Sequence, residues 1–238
     1  AFLAEYDALP NLGHGCGHNL IGTIAAFSAI AVSRHLDETG GEVRVYGTPG
    51  EEGGEHGSAK GSFVREGYFK DVDAALEVHP AAVNTLTPRT LALDPIDIEF
   101  RGKAAHASTA PEQGINALDA LILTYNGINA LRQHLPKDVQ IHGIIANGGS
   151  APNIVPDYSR GRFYIRAKTR AQVDAARKKI QNIAAGAASM TGATWKLSFF
   201  QNKIDDLIPN AKLDSIYKKH AEELGEDLSE ISQFPTTD

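Results

Sequence analysis

The 238-residue sequence lacks several features that mark particular protein classes. It has one cysteine, no run of Lys and Arg long enough to follow a phosphate backbone, and no run of about 18 consecutive apolar residues. A single cysteine cannot form a disulfide within the chain, and it suits a reducing compartment. Without a basic run, the surface has little to hold a phosphate backbone or an anionic membrane. Since no signal-peptide pattern opens the sequence, we expect a cytoplasmic protein that binds neither nucleic acid nor membrane.

What the sequence does have is the composition of a folded globular protein, with 42% hydrophobic residues and a formal net charge of -6 from interspersed acids and bases. Residues 1–91 alternate between strand and helix patterns. Strands are predicted at 2–6, 42–48 and 73–78, and helices at 20–36 and 57–67. This alternation is typical of an α/β domain built on a mostly parallel sheet with helices on its faces.

From residue 92 the pattern changes to strand, helix, strand, strand, helix, strand, which indicates a ferredoxin-like α+β domain. Thr169 and Gln172 form a capping-box signal for its second helix, and Gly192 lies just past the end of that helix. The other elements are predicted at 92–101, 114–135, 139–146, 158–168 and 194–200. We interpret 92–200 as a domain inserted into the first one. Residues 201–238, with a helix at 211–224, then begin the return to the first domain.

Side chains that can bind metal or transfer protons follow the predicted strands of the first domain or lie in its first helix-entering loop. They are, in chain order, Asp7, Cys16, His18, Glu51, Glu52 and His79. The carboxyl ends of parallel strands meet at one edge of a sheet, and the sites of open α/β proteins form there. We therefore expect these residues to lie together.

Cys16 and His18 are spaced as Cys-x-His on a glycine-rich loop, whose small residues let the backbone fold tightly around an ion. Together with Glu52 and His79 they make a thiolate, imidazole and carboxylate set. Such a set fits zinc, with manganese, cobalt or nickel as alternatives. Glu51, adjacent to one of these ligands, can hold or deprotonate a water.

Each of these residues also has an interpretation without metal. Asp7 can orient a ligating histidine, or it can simply form the turn before Ala-Leu-Pro. Cys16 can be a buried thiol, or a nucleophile that the nearby helix N-terminus activates. The adjacent acids Glu51 and Glu52 can form a solvated turn, and His79 can be a core histidine. These alternatives stay open from the residues alone.

Six motifs resemble the amidohydrolase branch of the di-metal aminoacylase and glutamate carboxypeptidase family of metallopeptidases. They are EYDALP, GHGCGHN, GEEGGEHGSAKG, LEVHP, GKAAHAS and APNIVPDYSRGRFYIRA, and they run through essentially the whole chain. The resemblance implies cleavage of an amide or peptide bond by metal-activated water. The implied substrate is an N-acyl amino acid, an aminobenzoyl-glutamate-like compound or a dipeptide.

The same resemblance implies roles for the residues of the first domain. Two divalent metal ions are expected, bridged by Cys16 and further held by His18, Glu52 and His79. Glu51 is expected to act as the general base, which passes the proton of the water to the leaving amine.

For the inserted domain, the resemblance implies a lid through which two copies form a homodimer. His106 is expected to donate a hydrogen bond to the oxyanion in the active site of the partner subunit. Asn153 and Arg166 are expected to hold the substrate carboxylate, for which the planar fork of arginine is well shaped. Without the resemblance, Arg166 would be interpreted as a sheet-face salt bridge and His106 as a packed loop histidine.

The sequence departs from the family in two places. Many relatives ligate metal through a histidine where this chain has Glu5, so we expect it to depend on the Cys-x-His pair instead. The family also takes one histidine ligand from near its C-terminus, whereas the last histidine here, His220, lies within a predicted helix and is not expected to substitute. Residues 235–238 resemble the opening of the segment that carries that ligand. We therefore interpret the chain as an internal piece of a longer protein.

Two other functions remain as alternatives to a metallohydrolase. One is a cysteine-dependent hydrolase or redox protein that uses Cys16. The other is a non-catalytic binding module that keeps the fold after losing a metal ligand.

Overall fold

The computed structural model describes residues 1–53 and 56–229. The backbone divides into two compact units. The first unit contains Ala1–Pro88 together with the described residues from Pro209 onward, and the second contains Arg89–Ile208. Gly54 and Glu55 of the acidic motif lie outside the described residues, as does the segment at 235–238. Within the described ranges, no helix is both long enough and apolar enough to cross a membrane.

The first unit is built around a two-stranded parallel sheet. Its elements up to residue 66 are β1 (Phe2–Glu5), α1 (His18–Ser33), α2 (Leu36–Thr39), β2 (Val45–Thr48) and α3 (Ala59–Glu66). The strands β1 and β2 pair in parallel over their whole length. At Gly22, α1 comes so close to β1 that a Cβ would stand 3.0 Å from the carbonyl oxygen of Glu5. Glycine at this position therefore lets the start of α1 lie beside the end of β1.

The prediction of a third strand at 73–78 is wrong. Among the described residues, the chain there makes a single parallel bridge, between Phe2 and Leu76. Leu76 and Val78 stay 43% and 45% exposed. A strand requires continued pairing with a neighbour, which the apolar pattern of one segment does not supply. The sequence had suggested that His79 follows a buried strand, and the structure shows that it does not.

The second unit has the predicted ferredoxin-like order of elements. They are β3 (Ala92–Arg101), α4 (Ala117–Arg132), β4 (Gln140–Asn147), β5 (Tyr158–Ala167), α5 (Arg170–Thr191) and β6 (Thr194–Phe199). The strands form one antiparallel sheet in the order β4-β5-β3-β6. The prediction of an α/β chain with an α+β unit of this type is confirmed.

One face of this sheet packs against α4 and α5. Along β5, every second residue is buried, which is the alternation of a sheet with one covered face. Ile96 of β3, Phe163 of β5 and Leu121 of α4 are among the fully buried side chains of this core, and Val173 and Ile180 of α5 close it from above. The core of the second unit is therefore one continuous apolar cluster.

Helix ends follow the signals of the sequence. Thr169 and Gln172 form the predicted capping box of α5, and Gly192, with φ 78°, ends that helix. The last helix, α6 (Ala211–Glu223), belongs to the first unit. Its N-cap is Asn210, whose side chain accepts hydrogen bonds from two backbone N–H groups. The prediction of a helix at 211–224 is confirmed.

Two glycines of the second unit give opposite predictions for the same change to alanine. A Cβ on Gly161 would lie 2.6 Å from Phe163 and 2.7 Å from Leu121, so Gly161→Ala should lower the free energy of unfolding by about 1–3 kcal/mol through overpacking. In the middle of α5, a Cβ on Gly186 would meet no described atom within 4 Å. Gly186→Ala should raise the free energy of unfolding by about 0.5–1 kcal/mol, because alanine costs less backbone entropy. Urea unfolding measures both changes, and equal effects would contradict the tight packing at Gly161.

Candidate metal centre

The loop that enters α1 is shaped by glycine. Gly13 and Gly17 have φ 85° and 78°, in the left-handed region that favours glycine. A Cβ on Gly17 would stand 2.8 Å from Cγ of Pro80, so the loop packs against the residue that follows His79. α1 begins at the next residue, His18, whose side chain is fully buried. The local backbone thus brings the Cys-x-His loop next to the segment that carries His79.

His18 is the centre of a cluster of polar side chains. Its Nε2 atom lies 2.9 Å from Oε2 of Glu5 and 3.6 Å from Oε1 of Glu52. Its Nδ1 atom lies 3.4 Å from Oδ1 of Asp7. The ring meets that of His79 edge to face, with centroids 5.8 Å apart. Both nitrogens of a buried imidazole therefore face acidic side chains.

The structure brings the four predicted ligands together. Sγ of Cys16 lies 3.5 Å from Oε2 of Glu52. Within the described part of the chain, two groups of donors could each hold a metal ion, with ligand atoms no more than 4.8 Å apart. They are Cys16, His18 and Glu52, and Glu5, His18 and His79. Of these residues, Glu5 was not among the ligands predicted from the sequence.

Three buried donor atoms of this cluster are unsatisfied. Oε2 of Glu5, Nε2 of His18 and Oε1 of Glu52 have no hydrogen-bond partner in residues 1–53 and 56–229. Leaving a buried polar atom unpaired costs about 1–3 kcal/mol, so their convergence is the arrangement expected where a cation completes the site. Thiolate, imidazole and carboxylate donors together suit a divalent ion of the zinc type.

Asp7 holds two members of the cluster in place. It accepts a hydrogen bond from the backbone N–H of Glu52 at 3.0 Å, in addition to its contact with His18. Burial alone would raise the pKa of Asp7, but the backbone N–H groups of Glu52 and Glu51 hold it below its usual range. An ionised Asp7 fixes the Nδ1 side of His18, which leaves Nε2 to face the other donors.

Glu51 is buried beside the cluster, with 2% of its surface exposed. Burial raises the pKa of Glu51 to about 7, although the ammonium of Lys60 opposes this shift. The backbone N–H of Lys60 donates to Oε1 of Glu51 at 3.4 Å, and its Nζ lies 3.9 Å from Oε2. The predicted base thus has a pKa near neutrality and a fixed orientation.

Lys60 also joins two carboxylates that the sequence analysis left unassigned. Its Nζ contacts Oε1 of Glu5 and lies 3.2 Å from Oε2 of Glu77. Burial raises the pKa of Glu77 to about 8. In the sequence, the signal for Glu5 was an acid ending an apolar strand, and Lys60 stood inside the quoted motif GEEGGEHGSAKG. A glutamate or a lysine at such a position is common, so the sequence alone did not predict this network.

His79 differs from its prediction, because it is exposed and lies outside any strand. Its Nδ1 donates to the carbonyl oxygen of Pro80 at 2.8 Å. Since a carbonyl can only accept, the lone pair of the neutral ring is on Nε2, which is the nitrogen available to a cation. His79 keeps a place in the donor group through this orientation.

His106 lies exposed on the loop after β3 in the second unit. Its Nδ1 accepts from the backbone N–H groups of Ser108 and Thr109, each at 3.3 Å. The proton of the neutral ring is therefore on Nε2, which makes that atom a hydrogen-bond donor.

Asn153 and Arg166 also lie in the second unit. The backbone carbonyl of Asn153 accepts from Ala107 at 3.0 Å, so Asn153 is next to the loop of His106. Arg166 lies on β5, with its guanidinium 5.3 Å from the centroid of the Tyr164 ring. Nε of Arg166 is buried and makes no hydrogen bond to any described residue. The alternative interpretation of Arg166, a sheet-face salt bridge, thus does not engage this nitrogen.

Known proteins resemble this chain over most of its length. Residues 95–191 match the family model described as a peptidase dimerisation domain. The Xaa-Arg dipeptidase of Mus musculus is 37% identical over 229 residues, which cover 94% of this chain and 52% of the relative. A p-aminobenzoyl-glutamate hydrolase polypeptide from Escherichia coli (strain K12) is 41% identical over 236 residues, which cover 90% of this chain and 48% of the relative. The chain spans about half the length of the curated relatives it matches.

A solved structure shows the same fold. The aminobenzoyl-glutamate utilization protein from Klebsiella pneumoniae superposes with a TM-score of 0.74 at 22% identity. The superposition covers 100% of this chain and 60% of that one.

We expect added Zn²⁺ to stabilise the complete gene product against thermal unfolding, because the three orphaned donors gain a partner. At a free metal concentration 100 times Kd, binding adds about 2.7 kcal/mol to the free energy of unfolding. His18→Ala should lose most of this gain, whereas His14→Ala should keep it, since His14 is exposed in the same loop and outside both donor groups. Unfolding curves with zinc and with a chelator measure the effect, and identical zinc shifts in both variants would contradict the site.

Proposed function

We propose that this chain belongs to the M20 peptidase family, in its amidohydrolase branch, and that the complete gene product is a metal-dependent hydrolase of amide or peptide bonds. The observation that carries the proposal is the convergence of unpaired, buried donor atoms around His18. The substrate class is an N-acyl amino acid, an aminobenzoyl-glutamate-like compound or a dipeptide. The names of the two curated relatives, a dipeptidase and a hydrolase of p-aminobenzoyl-glutamate, support this class. The single cysteine supports a cytoplasmic location.

In this proposal the first unit is the catalytic domain and holds two divalent metal ions. Cys16, His18, Glu52 and His79 would hold these ions. Zinc fits this donor set best, with manganese, cobalt and nickel as alternatives. When bound, the ions supply Lewis acidity that polarises the amide carbonyl and activates water. Asp7 keeps the ring of His18 oriented.

Glu51 is the general base. It accepts the proton of the attacking water and then delivers that proton to the leaving amine. The carboxylate of Glu51 is buried beside the donor cluster, where it can take up a proton from the water and release it to the amine. During the transfer, the backbone N–H and the ammonium of Lys60 keep the carboxylate of Glu51 in one orientation.

The second unit is the inserted lid and dimerisation domain, and it supplies the groups that bind substrate. His106 presents its Nε2–H to the developing oxyanion, and its Nδ1 is held by two backbone N–H groups. Asn153 and Arg166 hold the substrate carboxylate. The buried, unpaired Nε of Arg166 supports this role, because a carboxylate can bind a guanidinium through two hydrogen bonds.

The match to a dimerisation domain supports a homodimer through the second unit. Among the described strands, β4 lies at one end of the sheet. It exposes 62% of Ile144 and 48% of Ile145. An exposed edge strand with apolar side chains is a surface that pairs readily with another chain, which supports the dimer.

We expect Glu51→Gln to abolish turnover while leaving metal bound, because glutamine keeps the shape of the side chain but cannot take a proton. The loss in kcat should be about 10²- to 10⁴-fold. The measurement is hydrolysis of a panel of acylated amino acids and dipeptides by the complete gene product loaded with zinc or manganese, together with metal analysis. An unchanged rate would remove Glu51 from this role. Activity that survives chelation but is lost on thiol alkylation would instead support a cysteine-dependent enzyme.

A mixture of two inactive variants should regain activity if His106 acts across the dimer. In a mixed dimer of Glu51→Gln and His106→Ala, one active site has both its own Glu51 and the intact His106 of the other subunit. Coexpression followed by the same hydrolysis assay measures the recovery, and each variant alone is the control. No recovery from a confirmed mixed dimer would show that His106 does not serve the neighbouring subunit.

A further inference from the structure

Glu5 is a buried acid whose two carboxylate oxygens face different groups. Only 3% of its surface is exposed. Oε1 contacts the ammonium of Lys60. Oε2 faces Nε2 of His18 at 2.9 Å, yet it makes no hydrogen bond within the part of the chain that the structure describes. A carboxylate with one satisfied and one orphaned oxygen in the interior calls for a second cation on the orphaned side.

His18 does not provide that second cation through an ordinary hydrogen bond. Although its Nε2 is close to Oε2, neither atom has a hydrogen-bond partner among the described residues. The two atoms therefore lie at the distance of a hydrogen bond without its directional geometry. Two donor atoms that point toward a shared space instead of toward each other are typical of ligands of one metal ion.

His79 completes this set from a third direction. Ligand atoms of Glu5, His18 and His79 lie within 4.8 Å of one another. Nδ1 of His79 is engaged by Pro80, and the Nδ1 side of His18 faces Asp7. In both histidines, Nδ1 thus contacts a protein oxygen and Nε2 is left for a metal, which is the usual arrangement around metal-binding imidazoles.

We propose that Glu5 is a metal ligand, which binds through Oε2 to the cation that His18 and His79 hold. The assignment rests on the metal centre of the proposed function and extends it by one oxygen donor. Lys60 occupies the other oxygen, so Glu5 binds the ion through a single oxygen. The carboxylate is fixed further by the position of Glu5 at the end of β1, where α1 approaches at Gly22.

Cobalt is the probe that tests the assignment, because its absorption spectrum reports both coordination number and thiolate binding. The metal-free complete gene product is titrated with Co²⁺ as wild type, Glu5→Gln and Glu77→Gln. Glu77 is the matched control, since it contacts the same Lys60 but belongs to neither donor group. Glu5→Gln should bind one cobalt ion about 10- to 100-fold more weakly and change the d–d bands. It should keep the thiolate-to-cobalt charge-transfer band of Cys16, and Glu77→Gln should keep the whole spectrum.

A wild-type affinity and d–d spectrum in Glu5→Gln would overturn the assignment. If that variant does not fold, Glu5→Asp replaces it, because aspartate keeps the charge near Lys60 but withdraws the oxygen from the histidines, and the same spectral change is expected. Wild-type protein that binds cobalt but hydrolyses no amide would refute the proposed function and leave Glu5 as a ligand. Wild-type protein that binds no cobalt would refute both.

Discussion

The first unit depends on the electrostatics of carboxylates gathered around one buried imidazole. Glu5, Asp7 and Glu52 all lie within 3.6 Å of a nitrogen of His18. Carboxylates gathered around one imidazole repel one another, and the low dielectric of the interior makes the repulsion stronger than in water. Lys60 offsets part of this charge. Divalent cations held at the proposed site would offset more of it, so an arrangement that is costly without cations would favour their binding.

Short local elements are enough to build this arrangement. The two parallel strands have four residues each and end at Glu5 and Thr48. The loop after the first strand carries Asp7, and the loop after the second carries Glu51 and Glu52. Glycine does the rest, because Gly17 lets the loop turn against Pro80 and Gly22 lets α1 approach the strand. The site therefore lies at the carboxyl ends of the two parallel strands, as is usual in α/β folds.

The two units are stabilised in different ways. In the second unit, two helices cover one face of a four-stranded sheet, and its core contains large side chains such as Phe100 and Phe163 that are fully buried. In the first unit, the buried apolar residues among those described are small, apart from Ile21, and α1 leaves 67% of Phe27 exposed. Packing thus supplies most of the order in the second unit. In the first unit, polar contacts contribute a larger share, and cations at the proposed site would couple the folding of that unit to metal binding.

The sequence by itself determined the order and type of nearly every element. Periodicity, the capping box at Thr169 and the glycine stop at Gly192 are local, and local rules decide where helices and strands begin and end. It also determined which side chains could coordinate a metal, since residue type and placement after strands are visible without a structure. Only the tertiary structure decided which of these side chains converge. Glu5, Lys60 and Glu77 lie up to 72 residues apart in sequence and meet because the chain brings three separate segments together. The strand expected at 73–78 failed for the same reason, because pairing is a property of two segments and not of one.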